Sequence, residues 1–199
     1  MTDAHDAPAL AELCDALIHS RQHIGPKRLV APGPDEATLR VLLAAAAAAP
    51  DHQQLRPWRF HVLGPQARAR LGEAFAQALR ERDPVATESQ LADARDKALR
   101  GPVLLLAVAD LRADEPGVAE AERLVSLGAA IQNLLLAAQA RGWGSGLTSG
   151  RAMRSTALRQ AFGLRDGEHA VCCITLGTVS RAKAARLRPT VDEIARWDP

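Results

Sequence analysis

Apolar positions along this chain switch between two spacings, and the switches mark its elements. Leu10, Leu13, Cys14, Leu17 and Ile18 recur at helical intervals, which predicts an amphipathic helix over residues 9–19 after a frayed 1–8. A turn-rich segment, Gly25-Pro26-Lys27-Arg28, follows. Asp35-Glu36 opens a second helix with acids in its first turn, running through Leu39, Leu42, Leu43 and six alanines to Ala49. Pro50 stops it. The polar loop Asp51-His52-Gln53-Gln54 and then Arg56-Pro57-Trp58 lead into an alternating strand over 59–63. A third helix runs to about residue 82, with Leu71, Phe75, Ala78 and Leu79 on one face, and breaks at Asp83-Pro84. Residues 89–100, with Asp93, Arg95, Asp96, Lys97 and Arg100, read as an exposed helix, a surface lid or insert.

The second half is more hydrophobic. The unbroken run Val103-Leu104-Leu105-Leu106-Ala107-Val108-Ala109 predicts a strand buried on both faces. A polar loop over 110–117 precedes a long helix over 119–141, which carries Leu124, Leu127, Ile131, Leu134 and Leu135 with the amides Gln132 and Asn133 in its middle. Such amides want partners if buried. The glycine-rich stretch 142–150 follows a helix rather than a strand and lacks the Gly-x-Gly-x-x-Gly order, so neither a Rossmann nor a Walker loop is indicated. A helix over 156–162 and a strand over 170–176, closed by Gly177, lead to a basic tail with Arg181, Lys183, Arg186 and Arg188. Strands and helices in this uneven order predict an α+β sandwich around a mixed sheet, in one domain over 1–199.

Composition narrows the function classes. The 199 residues suffice for a substantial core. Aromatic residues make up 3% and tyrosine is absent, which weighs against a base-stacking nucleic-acid surface. The net charge of +2, without long runs of one sign, gives no polyanion groove. No apolar run reaches membrane-spanning length, and MTDAHDAPAL lacks a secretory pattern. Cys14, Cys172 and Cys173 form no CxxC pair, so a disulfide framework or zinc site is not expected and a reducing cytoplasm is. Adjacent Cys172 and Cys173 would face opposite sides of a strand.

Two loops carry candidate chemistry. Arg21, His23, Lys27 and Arg28 concentrate positive charge, either to grip a phosphate or to complement a helix C-terminus. The loop 51–54 is either an ordinary connection or a place where ligand groups gather.

The order of four blocks goes further. They are Arg21-Gln22-His23 with Arg28-Leu29; Ala49-Pro50-Asp51-His52 with Pro57-Trp58-Arg59-Phe60; Gly128-Ala129-Ala130-Ile131-Gln132-Asn133 through Gly142-Trp143-Gly144; and Ile174-Thr175-Leu176-Gly177. In that order the chain resembles the nitroreductase family of FMN-dependent oxidoreductases, in its short, minimal subgroup, over most of its length. The resemblance implies a three-layer sandwich, an intertwined homodimer with FMN at the subunit interface, and ping-pong chemistry from NAD(P)H to a nitroaromatic, quinone or similar small-molecule acceptor. The cofactor would carry the redox step, so no catalytic dyad is required.

Carried across by position, the resemblance puts Arg21, Gln22 and His23 beside the flavin phosphate and ribityl chain. Lys27 or Arg28 would lie near the phosphate or the pyrimidine end of the ring. Ala48, His52 and Gln54 would reach the partner's flavin. Leu147, Thr148 and Ser149 would pack on the isoalloxazine, residues 137–142 with Gly142 would be the nicotinamide stretch, and Arg186 or Arg188 would close on the phosphate. His23 stands where the family usually has Ser, Arg56 where Gln is common, and Leu147 where close relatives carry Trp. Two other readings stay open: a flavin-binding carrier or sensor without turnover, and oxygen-dependent flavin breakdown.

Overall fold

The computed structural model describes residues 7–112, 117–182 and 184–198. Its elements run α1 (Ala7–Ser20), β1 (Leu29–Val30), α2 (Glu36–Ala47), β2 (Trp58–Val62), α3 (Pro65–Arg82), α4 (Glu88–Asp96), β3 (Val103–Asp110), α5 (Glu120–Gln139), β4 (Gly144–Thr148), α6 (Thr156–Ala161), β5 (Glu168–Val179) and α7 (Val191–Ile194). The sheet has the order β1-β5-β3-β2, with β4 also paired to β5. All these strand pairs are antiparallel, and among the described residues the sheet is mixed only through an isolated parallel bridge between His23 and Ser145.

The apolar run of β3 is the spine. From Leu104 to Ala109 every residue is buried, as two-sided packing requires. Leu105, Ala107 and Ala109 join Leu42 of α2 and Leu127, Ile131 and Leu134 of α5 in one cluster. Leu104, Leu106 and Val108 join Leu71 of α3 and Leu158 of α6 in another. Two clusters back to back on one sheet make the expected three layers. A bulge in the β3–β5 ladder between Ala107 and Val108 leaves Val171 unpaired with β3. Cys172 and Cys173 then fall into opposite clusters, as their adjacency predicts. Burial pushes their thiols up to about 11 and about 12.

One expectation needs correction. The 89–100 segment is not a lid. Leu91, Ala94 and Ala98 are buried, Glu73 of α3 accepts from Arg95 Nε at 2.8 Å, and Gly72 lets the helices approach so closely that a Cβ there would sit 3.0 Å from the Arg95 carbonyl oxygen. Its many charges hid a narrow apolar stripe. The glycine-rich stretch 142–150 contains a strand, since β4 pairs with β5 from Gly144 to Thr148. Glycines depress strand propensity, yet here close backbone approach demands them. Residues 1–6, part of the 110–117 loop and Lys183 lie outside the described residues.

One end of the sheet is closed by an ion network. Glu168, fully buried, pairs bidentately with Arg59 of β2 and accepts from Arg165 Nη2 at 2.7 Å. The Arg59 guanidinium, helped by Arg165, holds the Glu168 carboxyl far below the usual range against the opposing effect of burial. His61, also on β2, packs edge-on against Phe162, and burial lowers its pKa.

Candidate functional site

The segment after α1 is laid onto β4. Ile24 N donates to Ser145 O at 2.8 Å, and Leu147 N donates to His23 Nδ1 at 3.3 Å. With Nδ1 accepting, the imidazole carries its proton on Nε2. A Cβ at Gly146 would overlap the Ile24 carbonyl oxygen, so glycine there is what permits the approach. Leu147 is left exposed, Thr148 half-buried, and Ser149 Oγ donates to Val171 O at 2.8 Å. Gln22 and Gly142 meet in a cavity of about 240 Å³ with Ser20, Gln139 and Trp143. Gly142 has a left-handed φ of 77° at the turn that ends α5.

The tail returns to this place. Arg188 Nη2 donates to the Arg21 carbonyl at 2.8 Å. Partial burial and the nearby Arg188 charge both lower the Arg21 pKa. No carboxylate pairs with Arg21 or Arg188 among the described residues, so two cations share a corner that an anion would relieve. Arg186 is exposed and makes no such contact. Arg28 is fixed through its carbonyl, which accepts from Ser180 N and Oγ, its guanidinium has no hydrogen-bond or ion-pair partner among the described residues, and Lys27 is exposed.

The second candidate loop lies elsewhere. Ala48 caps α2 and is exposed, as are His52 and Gln54. Gln53, Gln54 and Arg56 all have left-handed φ, at 55°, 55° and 50°. Such residues cost on the order of 1 kcal/mol each and gather at ligand-binding segments. Asp51 Oδ2 accepts from Arg56 N at 2.6 Å and holds the bend. His52 Nδ1 lies 2.6 Å from Glu122 Oε2 at the start of α5, a partner 70 residues distant that no local spacing announces. Glu122 is held below its usual range by that contact.

Helix α5 separates the two groups. His52 is tied to its first turn, while Gln139 in its last turn donates to Ser20 Oγ at 3.4 Å, next to Arg21. A helix of 20 residues is about 30 Å long, further than one flavin mononucleotide extends. The two groups of candidate residues therefore lie at opposite ends of one rod. Exposed apolar side chains stand on α1 and the tail, the elements joined at Arg21. None of the residues of α1 is buried, leaving Leu10 and Leu13 open, and Val191, Ile194 and Trp197 project from the tail.

Sequence reasoning missed Ser145 and Glu122. It also missed a cavity beside Thr148 rimmed by Arg82, Lys97, Arg100 and Arg151. These cations stand on three separate elements, so only the folded packing of α3, the turn after α4 and the turn after β4 reveals them together. Of the other amides, Asn133 Nδ2 donates to Ala45 O at 3.2 Å and fastens α5 to α2, while Gln132 is exposed rather than buried.

A family model described as "Nitroreductase family" matches residues 29–178. A Haemophilus influenzae protein named as a candidate NAD(P)H nitroreductase is 34% identical over 167 residues, covering 82% of this chain and 88% of its own. The Escherichia coli protein YdjA, named likewise, is 32% identical over 154 residues, covering 76% and 81%. Among solved structures, a nitroreductase-like family protein from Bacillus cereus superposes with a TM-score of 0.76 at 22% identity, covering 92% of this chain and 94% of its own. The FMN-dependent nitroreductase NfnB from Mycobacterium smegmatis, solved with NADPH, gives 0.73 at 19% identity, covering 96% and 100%.

Proposed function

The chain belongs to the nitroreductase family, and on that premise we propose that it is an FMN-dependent NAD(P)H oxidoreductase acting on a small nitroaromatic, quinone or similar acceptor. The observation that carries the cofactor assignment is the pair Arg21 and Arg188, two neighbouring guanidiniums with no carboxylate between them. A phosphate monoester supplies the charge and the oxygen acceptors that such a pair lacks.

The residues present fit FMN. Arg21 and Arg188 would hold the phosphate, with Gln22 and His23 on the ribityl side. Leu147, Thr148 and Ser149, at the exposed end of β4, offer a surface for the ring, and Lys27 or Arg28 a cation near it. Bound FMN would supply the redox chemistry, taking two electrons from NAD(P)H and passing them to the acceptor in turn. What the chain contributes is binding, orientation and charge. Residues 137–142 would receive the nicotinamide.

The site is completed by a second copy. Ala48, His52 and Gln54 lie too far along α5 from Arg21 to serve the same flavin, so they would complete the partner's. The uncovered apolar faces of α1 and the tail are surface that a homodimer would bury. Among the described residues no helix is long and apolar enough to cross a membrane.

The test is a visible spectrum of the purified protein without oxygen. A yellow protein that bleaches with NADPH or NADH and recovers its colour with a nitroaromatic or quinone supports the reading. A protein that cannot be loaded with FMN removes it, and one that stays yellow with both nucleotides is a flavin binder without turnover.

A further inference from the structure

The loop between α2 and β2 is fixed at its ends and open in between. Ala49 and Pro57 are buried, and the Pro57 carbonyl accepts from Asp110 N at 2.9 Å. Between them His52, Gln53, Gln54 and Arg56 are exposed, and the last three have left-handed φ. Inside the loop, Asp51 O accepts from Gln54 N, His52 O from Leu55 N, and Asp51 Oδ2 from Arg56 N. Among the described residues one hydrogen bond leaves residues 51–56 for another element, and it joins His52 Nδ1 to Glu122 Oε2 at 2.6 Å.

That contact sets the chemistry of the ring. Glu122 stands in the first turn of α5, where a helix start favours a negative side chain, and the His52 hydrogen bond holds its carboxyl below the usual range. An ionised carboxylate only accepts, so Nδ1 carries the proton and donates it. In the neutral ring Nε2 is then an acceptor. His23 is held the opposite way, because its Nδ1 accepts from Leu147 N. The chain thus fixes these two histidines in complementary tautomers, one by a main-chain donor and the other by a side-chain acceptor. The side chains of His52 and Glu122 are 50% and 47% exposed, so the pair adds little to stability. What it fixes is the direction of a ring on a loop whose other hydrogen bonds are internal.

We propose that Glu122 is a positioning residue for the flavin site of the other chain, holding the Nδ1 proton of His52 so that Nε2 is turned away from α5 as the acceptor for a hydrogen-bond donor of the cofactor. The inference rests on the oxidoreductase reading, which gives His52 to the partner's FMN. It adds a residue that touches no cofactor and acts through another side chain. FMN carries both donors and acceptors, so a histidine donor from one chain and a histidine acceptor from the other are not redundant.

The experiment is a double-mutant cycle on the purified full chain, read by fluorescence titration of FMN into apo-protein, with nitrogen-resolved imidazole NMR spectra at mildly alkaline pH and sedimentation alongside. Glu122→Ala and His52→Ala are each expected to weaken FMN binding about three- to tenfold, the scale of one hydrogen bond. The double variant is expected to be no weaker than His52→Ala alone, because Glu122 acts only through the ring. Before any flavin is added, the His52 proton sits on Nδ1 in the unaltered protein and is shared between both nitrogens in Glu122→Ala. A Glu122→Ala protein that binds FMN as tightly as the unaltered one overturns the inference. So does a His52 proton found on Nε2 in the unaltered protein, and so do losses that add in the double variant. A loss of FMN that tracks dissociation into single chains also overturns it, since Glu122 would then be structural. If Arg21→Ala weakens FMN binding and His52→Ala does not, this inference alone is lost. A protein that cannot be loaded with FMN loses the oxidoreductase reading, and the role of Glu122 with it, whatever the tautomer of His52.

Discussion

The Arg188 side chain closes on the main chain of Arg21, Nη2 to carbonyl oxygen at 2.8 Å, across 167 residues of sequence. The contact joins the end of α1 to the basic tail and leaves both charges available. Replacing either residue by Ala should weaken FMN binding about tenfold or more, since both guanidiniums are partly solvated and a charge-assisted bond to phosphate is discounted accordingly. Arg186→Ala should change it little. Fluorescence titration of FMN into apo-protein checks this, and an unchanged Kd in Arg21→Ala removes the phosphate assignment.

The exposed face of α1 sets a second expectation. Leu13 is 69% exposed on the isolated chain, on a helix with no buried residue. Sedimentation should find twice the chain mass of 21.2 kDa. Leu13→Glu should shift the population towards single chains and lower FMN retention with it. A wild-type protein that sediments as one chain at micromolar concentration defeats the two-copy site.

Acid should find the ion network. The Glu168 carboxyl is held far below its ordinary value of 4.5 by Arg59 and Arg165. A depressed acid stabilises the fold fully above its unfolded pKa, and that stability is lost as pH falls below about 4.5 towards the folded value. Arg59→Met strands the buried carboxylate and should cost about 3 kcal/mol at pH 7. The gap should narrow in melts at pH 3.5, where protonation begins to remove the charge. Identical melting temperatures for the two proteins at pH 7 would show that Arg165 alone suffices.

Gly146 has no room for a side chain. In Gly146→Ala the new methyl meets the Ile24 carbonyl oxygen, a main-chain atom that cannot swing aside. A loss of about 1–3 kcal/mol in denaturant unfolding is expected, with weaker FMN binding as the His23–Leu147 contact is displaced. Gly25→Ala, where nothing lies within 4 Å, is the control and should leave the midpoint near its original value.

Periodicity made the core legible. The β3 run and the α5 stripe could be read because burial on two faces and on one face leave different spacings. The need for glycine in β4 was not legible, because Gly146 answers to Ile24, more than a hundred residues away, and Gly144 to Leu29 and Val179. The candidate residues of the two loops were brought together only by the order of four sequence blocks. Their separation along α5, the His52–Glu122 contact and the choice of Arg188 beside Arg21 depend on long-range packing, which leaves no mark in local pattern.

The proposed division of each site between the two ends of α5 has a genetic consequence. A chain damaged at Arg21 and a chain damaged at His52 would each form homodimers with every site impaired. Mixed in one dimer, the two lesions fall together in one site and leave the other intact. Co-expression of two defective alleles would then restore part of the activity, a complementation that chains with self-contained sites could not show.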